Sequence, residues 1–138
     1  MTPRPILLDT AAILWATEAN GLSPAAQEAI AEAERAGAPI LASPISAWEI
    51  GMLVSRGRIA LREDPKRWFD SLIAAGIALA DLTPEIFMDS SFLPLSRLRD
   101  PADRILVATA RVLDLRIMTR DRPILDYAAA GYVQAIAC

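Results

Sequence analysis

Short apolar runs alternate with helix-opening signals along this chain, and that alternation restricts the folds open to it. Pro5 to Leu8 reads as a buried strand, followed by a helix over Ala11 to Thr17 that ends near the turn signal Asn20-Gly21. Ser23-Pro24 opens a second helix, with Ser as N-cap and Pro at the first helical position; it runs to about Arg35 and stops at Gly37. Ile40 to Ala42 predicts a second strand, Ala47 to Val54 a third helix, and Asp64-Pro65 the start of a fourth. Ile77 to Leu82 predicts a third strand, and Thr83-Pro84 begins a short helix. Asp100-Pro101-Ala102-Asp103 is the clearest helix start, and its apolar body continues to about Leu113. A fourth strand contains Ile117, a helical turn or two covers Pro123 to Ala129, and Tyr132 to Ile136 predicts a last strand. Strands alternating with helices predict an α/β fold: a mostly parallel, twisted sheet flanked by helices on both faces and joined by right-handed crossovers.

The 138 residues suit one domain with one core, and a hydrophobic share of 54% marks a globular chain. No secretion-signal pattern opens the sequence, and Cys138 is the only cysteine, so a cytoplasmic, reducing setting is expected. The absence of histidine excludes more. Ser-His-Asp and Cys-His nucleophile systems, imidazole-held zinc and histidine acid–base cleavage of RNA are all ruled out in their usual forms. Any catalysis falls to carboxylates, arginines and hydroxyls, and carboxylate oxygens suit Mg²⁺ or Mn²⁺.

Four carboxylates stand out: Asp9, Glu49, Asp103 and Asp121. Each follows a predicted strand or lies near the start of a predicted helix. In a parallel α/β sheet those places face one edge, where ligands bind. Each also has a purely structural reading. Asp9 can cap the helix after it; Ser46-Ala47-Trp48-Glu49 matches a capping box; Asp103 complements a helix dipole; Asp121 suits a turn before Pro123. As a set they leave something over, because clustered anions repel unless a cation neutralises them. Thr10 and Thr119, beside the first and last of these acids, read as hydroxyls that orient ligands or water, or as ordinary strand-end hydroxyls. Trp15 and Trp48 read as core or interface aromatics in preference to base-stacking platforms.

The net charge is −3, yet the stretch from Arg97 to Arg122 holds seven arginines against four acids and is net +3. A locally basic rim around an acidic cluster can hold a phosphate backbone.

Four segments carry a resemblance that covers essentially the whole chain. They are Leu7-Leu8-Asp9-Thr10-Ala11-Ala12-Ile13-Leu14-Trp15; Ile45-Ser46-Ala47-Trp48-Glu49-Ile50; Arg99-Asp100-Pro101-Ala102-Asp103-Arg104-Ile105-Leu106-Val107-Ala108-Thr109-Ala110; and Met118-Thr119-Arg120-Asp121. In order and spacing they resemble PIN-domain nucleases, in particular VapC-type toxins of bacterial toxin–antitoxin pairs. The resemblance implies a three-layer α/β/α fold and a metal-dependent endoribonuclease. It implies Asp9 and Asp103 as the firmest Mg²⁺ (or Mn²⁺) ligands, with Asp121 and Glu49 completing the charge balance and orienting water. It implies Asp100 as an auxiliary acid, while Arg99, Arg104, Arg120 or Arg122 hold flanking RNA phosphates. It further implies a homodimer and a cognate VapB-type antitoxin, together a heterotetramer or larger. The antitoxin's segment would lie in a hydrophobic groove near Trp15, Trp48 and Ile50 and direct a basic side chain at the acids. Leu98 and Ala102 depart from the pattern, replacing a frequent His and a bulky aromatic. The alternatives are a metal-dependent phosphohydrolase of another α/β family and a catalytically inactive PIN-like binding module.

Overall fold

The computed structural model describes residues 2–18 and 21–138, so Asn20 of the expected turn lies outside the described residues. Five strands, β1 (Ile6–Leu8), β2 (Ile40–Ala42), β3 (Ala78–Leu79), β4 (Arg116–Thr119) and β5 (Gln134–Ala137), form one parallel sheet in the order β3-β2-β1-β4-β5. The helices are α1 (Thr10–Ala16), α2 (Pro24–Arg35), α3 (Pro44–Ser55), α4 (Pro65–Ala74), α5 (Pro84–Ser91), α6 (Pro101–Leu113) and α7 (Arg122–Ala129).

Strand pleating divides the interior in two. In β1, Leu7 faces one side with Ile117, Leu106, Val107, Ile86 and Ile124. Ile6 and Leu8 face the other with Ile13, Ile40, Ile50 and Met118. The expected helices on both faces, and so the three layers, follow from this alternation. The third strand is two residues long rather than six, and Leu79 stands 52% exposed at that edge. A very short edge strand offers little backbone for unwanted pairing.

Pro residues set most helix starts. α2, α4, α5 and α6 each begin with Pro after a Ser, Asp or Thr N-cap whose side chain accepts from a backbone amide of the first turn. The third helix departs from expectation. It starts at Pro44, with Ser43 as N-cap accepting from the Ile45 amide, three residues ahead of the expected Ala47. Glu49 therefore lies in the body of α3 and is not the closing residue of a capping box.

The sheet order places β1 between β2 and β4, and the chain winds outward from it in both directions. The crevice beyond the C-terminal ends of β1 and β4 is the topological switch point, where α/β sheets leave room for a ligand. The Asp9 amide donates to the Met118 carbonyl across this point, at 3.1 Å, so the ends of β1 and β4 are locked together. No helix among the described residues is long and apolar enough to cross a membrane.

Candidate active site

Asp9 is the first residue beyond β1 and the N-cap of α1, and only 5% of it is exposed. Its Oδ1 accepts from the Ala12 amide at 2.7 Å. The capping reading of Asp9 is thus correct but incomplete, because the same carboxylate also lines a cavity of about 360 Å³ at the switch point. Glu49, Asp103 and Asp121 line that cavity too. Four residues spread over the sequence, on the ends of β1 and β4 and on α3 and α6, share one wall.

Asp9, Glu49 and Asp121 are each held by a partner. Asp121 caps α7: its Oδ2 accepts from the Ile124 amide at 3.2 Å, and its own amide donates to Thr119 Oγ1 at 2.9 Å. Thr119 is fully buried at the end of β4, so this hydroxyl fixes the turn that aims Asp121. The Thr10 hydroxyl donates to Glu49 Oε1. That leaves the Ser46 hydroxyl to donate to Thr10 Oγ1, at 2.9 Å and in a buried setting. Ser46 was legible only as an N-cap; its place in the Glu49 relay depends on α3 beginning at the Ser43-Pro44 signal. Asp100 caps α6, its Oδ1 accepting from the Ala102 and Asp103 amides at 2.8 and 3.2 Å. Asp103 then sits in the first turn of α6.

Burial and crowding make Asp9, Glu49 and Asp103 reluctant anions. Burial pushes the Asp9 carboxyl up, with the charge of Asp121 adding to it, while Thr119, the Ala12 amide and Arg120 pull it back. Glu49 is raised by burial first and by Asp100 and Asp9 next, against the Thr10 hydrogen bond. Asp103 is raised from 3.8 to about 7, by burial foremost and then by Asp100, Asp121, Glu49 and Asp9. The carboxylates neighbour one another across the cavity without forming a closed shell. Among the described residues no three acids are already gathered tightly enough to hold an ion. The donor set is all oxygen and carries excess negative charge, which fits a hard divalent cation in both respects.

The arginines are less concentrated than their sequence order suggested. Among the described residues only Arg120 lines the acidic cavity. Arg104 donates from Nε to the Ser90 carbonyl at 2.8 Å and from Nη1 to the Leu98 carbonyl at 2.6 Å, which braces the segment before α6. Arg111 donates to the Tyr132 carbonyl and Arg116 to the Arg4 carbonyl, both away from the site. Arg99 and Arg122 are exposed and do not line the cavity. Of the expected groove residues, Trp15 is half-buried at the cavity and Trp48 is 54% exposed, but Ile50 is closed into the core. Leu98 and Ala102 are both buried, so the small and aliphatic side chains at these positions serve packing.

The PIN domain profile matches residues 6–130. The chain is similar to Ribonuclease VapC22 of Mycobacterium tuberculosis, 34% identical over 118 residues that cover 85% of this chain and 87% of that protein. Among solved structures, VapBC2 from Rickettsia felis, bound to a DNA fragment from their promoter, is similar with a TM-score of 0.70 at 12% identity, covering 96% of this chain and 98% of that one. A toxin-antitoxin complex from Klebsiella pneumoniae is similar with a TM-score of 0.60 at 19% identity, covering 95% of each chain. At those identities the structural likeness speaks for the fold, whereas the profile and the curated relative speak for descent: this chain belongs to the PIN-domain family.

Proposed function

We propose that this protein is a metal-dependent endoribonuclease of the VapC kind, held in check in the cytoplasm by a VapB-type antitoxin. The observation that carries the reading is the convergence of Asp9, Glu49, Asp103 and Asp121 on one cavity at the switch point. A relative named a ribonuclease and a toxin-antitoxin complex of the same fold support it.

Asp9 and Asp103 are the residues to hold Mg²⁺ or Mn²⁺, with Asp121 and Glu49 completing the charge balance. When bound, the cation supplies Lewis acidity at the phosphate oxygens and acidifies water. The protein's own part is positional. The Ala12 amide restrains Asp9, the Thr119 hydroxyl restrains the turn at Asp121, and Thr10 restrains Glu49. Glu49 and Asp121 orient a water for in-line attack at phosphorus and accept the proton it gives up. The bond to the 3′-oxygen breaks and that oxygen takes a proton from solvent, leaving a 5′-phosphate and a 3′-hydroxyl, and no covalent enzyme intermediate forms. Burial raises the Glu49 carboxyl above the usual carboxylate range, which suits a proton acceptor, since a base works best when its pKa lies near the operating pH.

The direct experiment incubates the purified chain with bacterial total RNA and maps the ends. Cleavage in Mg²⁺ or Mn²⁺, loss in EDTA and 5′-phosphate ends are expected; cyclic 2′,3′-phosphate ends or EDTA-resistant cleavage contradict the mechanism. Thr10→Val tests the relay. It removes the donor to Glu49 while keeping the side-chain shape, and is expected to lower cleavage by about 10- to 100-fold, as loss of a residue that orients a metal-site carboxylate does. Thr10→Ser should retain most activity. Equal activity of the Val and parent proteins in an RNA-cleavage assay would remove Thr10 from the account.

A further inference from the structure

Arg120 is fixed more firmly than a surface arginine needs to be. Its guanidinium carbon lies 3.8 Å from the centroid of the Trp15 ring. Its Nε donates to the Cys138 carbonyl at 2.7 Å and its Nη2 to the Gly21 carbonyl at 2.5 Å. Three contacts from three parts of the chain hold one plane in place: α1, the segment after it, and the end of β5. Both Arg120 and Trp15 border the acidic cavity. Trp15 and Leu14 also border a neighbouring cavity of about 820 Å³ that runs past Ile59, Leu61 and Trp68. Trp15, the aromatic member of the pair, therefore stands where the two cavities meet.

This arrangement is poorly suited to clamping a phosphate, because much of the guanidinium's fork is already occupied by backbone carbonyls. It is well suited to presenting a flat, polarisable surface. Among the described residues Arg120 is the arginine that lines the acidic cavity, and with its fork largely engaged, contact with RNA at this point falls to flat faces more than to charge. Stacking of a base on an aromatic ring or a guanidinium plane is such a contact.

We propose that the Trp15–Arg120 stack is a base-stacking platform that selects an unpaired nucleotide next to the scissile phosphate. The proposal rests on the ribonuclease reading and adds to it the two residues that receive a base splayed out beside the cut.

The test is a cycle between protein and substrate. The probe is a synthetic RNA hairpin reproducing a site that the parent protein cuts in bacterial total RNA, with single abasic nucleotides placed in turn on either side of the scissile bond. At one flanking position, loss of the base is expected to lower kcat/KM for the parent by about 10-fold or more. Trp15→Ala should lower it similarly on the intact hairpin and show no further loss on the abasic one. Arg120→Lys keeps the charge and loses the plane, so it should behave as Trp15→Ala does; Trp15→Phe should keep most of the discrimination. Non-additivity with the substrate is a readout that mere destabilisation does not produce. Additive effects at every position overturn the platform, as does an Arg120→Lys protein that cleaves and discriminates like the parent. Loss of antitoxin binding by Trp15→Ala with unchanged cleavage assigns the surface to a peptide and also overturns it. If the parent cuts no RNA, the nuclease reading falls together with the platform; if it cuts but the cycle is additive, the platform alone falls.

Discussion

Asp9→Asn is expected to lower Mg²⁺-dependent RNA cleavage by at least about 100-fold, since it alters a proposed ligand where loss of an outer partner alone costs 10- to 100-fold. The fold should survive. Asp9 is the N-cap of α1 through the Ala12 amide, and Asn caps a helix about as well as Asp. The substitution also removes a buried negative charge that Asp121 opposes, so it relieves repulsion in the metal-free protein. Asp9→Ala separates the two roles, because it loses the cap as well, at a cost of about 1 kcal/mol. The account thus expects two inactive proteins of different stability: the Asn variant melting at or above the parent without metal, the Ala variant below it. An Asn variant that folds and cleaves at the parental rate would remove Asp9 from the chemistry.

The metal-free protein is expected to become less stable as pH rises from about 4 to about 7. The carboxyl of Asp103 is raised from 3.8 to about 7 in the folded state. Between those values the folded chain keeps a proton that the unfolded chain has lost, so raising the pH favours unfolding, and the effect levels off above the folded value. Asp9 and Glu49 are raised as well and act in the same direction. A divalent cation reverses the trend, because it binds the ionised cluster and not the unfolded chain. At a concentration 100-fold above its dissociation constant it stabilises by about 2.7 kcal/mol, or roughly 10 °C in melting temperature for a domain of this size. The cation's shift should be large at pH 8 and small at pH 5, where protons compete for the same oxygens. Asp103→Asn should flatten the pH dependence without metal and shrink the Mg²⁺ shift. Thermal melts of both proteins across pH 4–8, with and without Mg²⁺, check this; a parent that gains stability on going from pH 5 to pH 8 without metal would contradict it.

What could be seen in the sequence was local. Ser23-Pro24, Asp64-Pro65, Thr83-Pro84 and Asp100-Pro101 each pair a capping side chain with a residue that fits the first helical position, and each marks the helix start that is observed. The order of strands and helices implied the parallel sheet, and the sheet implied a common edge for Asp9, Glu49, Asp103 and Asp121. Two competing local signals misled at α3. Ser46-x-x-Glu49 imitates a capping box, while Ser43-Pro44 sets the actual start, and that difference of less than one turn moves Glu49 from a cap to the cavity.

The basic rim is thinner at the cavity than the sequence order suggested, for a reason of length. A 13-residue helix spans about 20 Å, so Arg111 in the last turn of α6 is carried away from Asp103 in its first turn. Arg104, Arg111 and Arg116 are drawn to backbone carbonyls that only the folded chain presents. The same holds for the Trp15–Arg120 stack, whose members are separated by most of the sequence and meet only because β1 and β4 are adjacent.

The central claim is that four carboxylates from separate elements together hold one or more hard cations. Anomalous diffraction from crystals soaked in Mn²⁺ tests it most directly. The account predicts a manganese peak in the cavity bounded by Asp9, Glu49, Asp103 and Asp121, weakened or lost in Asp9→Asn crystals. Manganese bound elsewhere on the surface, with that cavity empty at millimolar Mn²⁺, would contradict it.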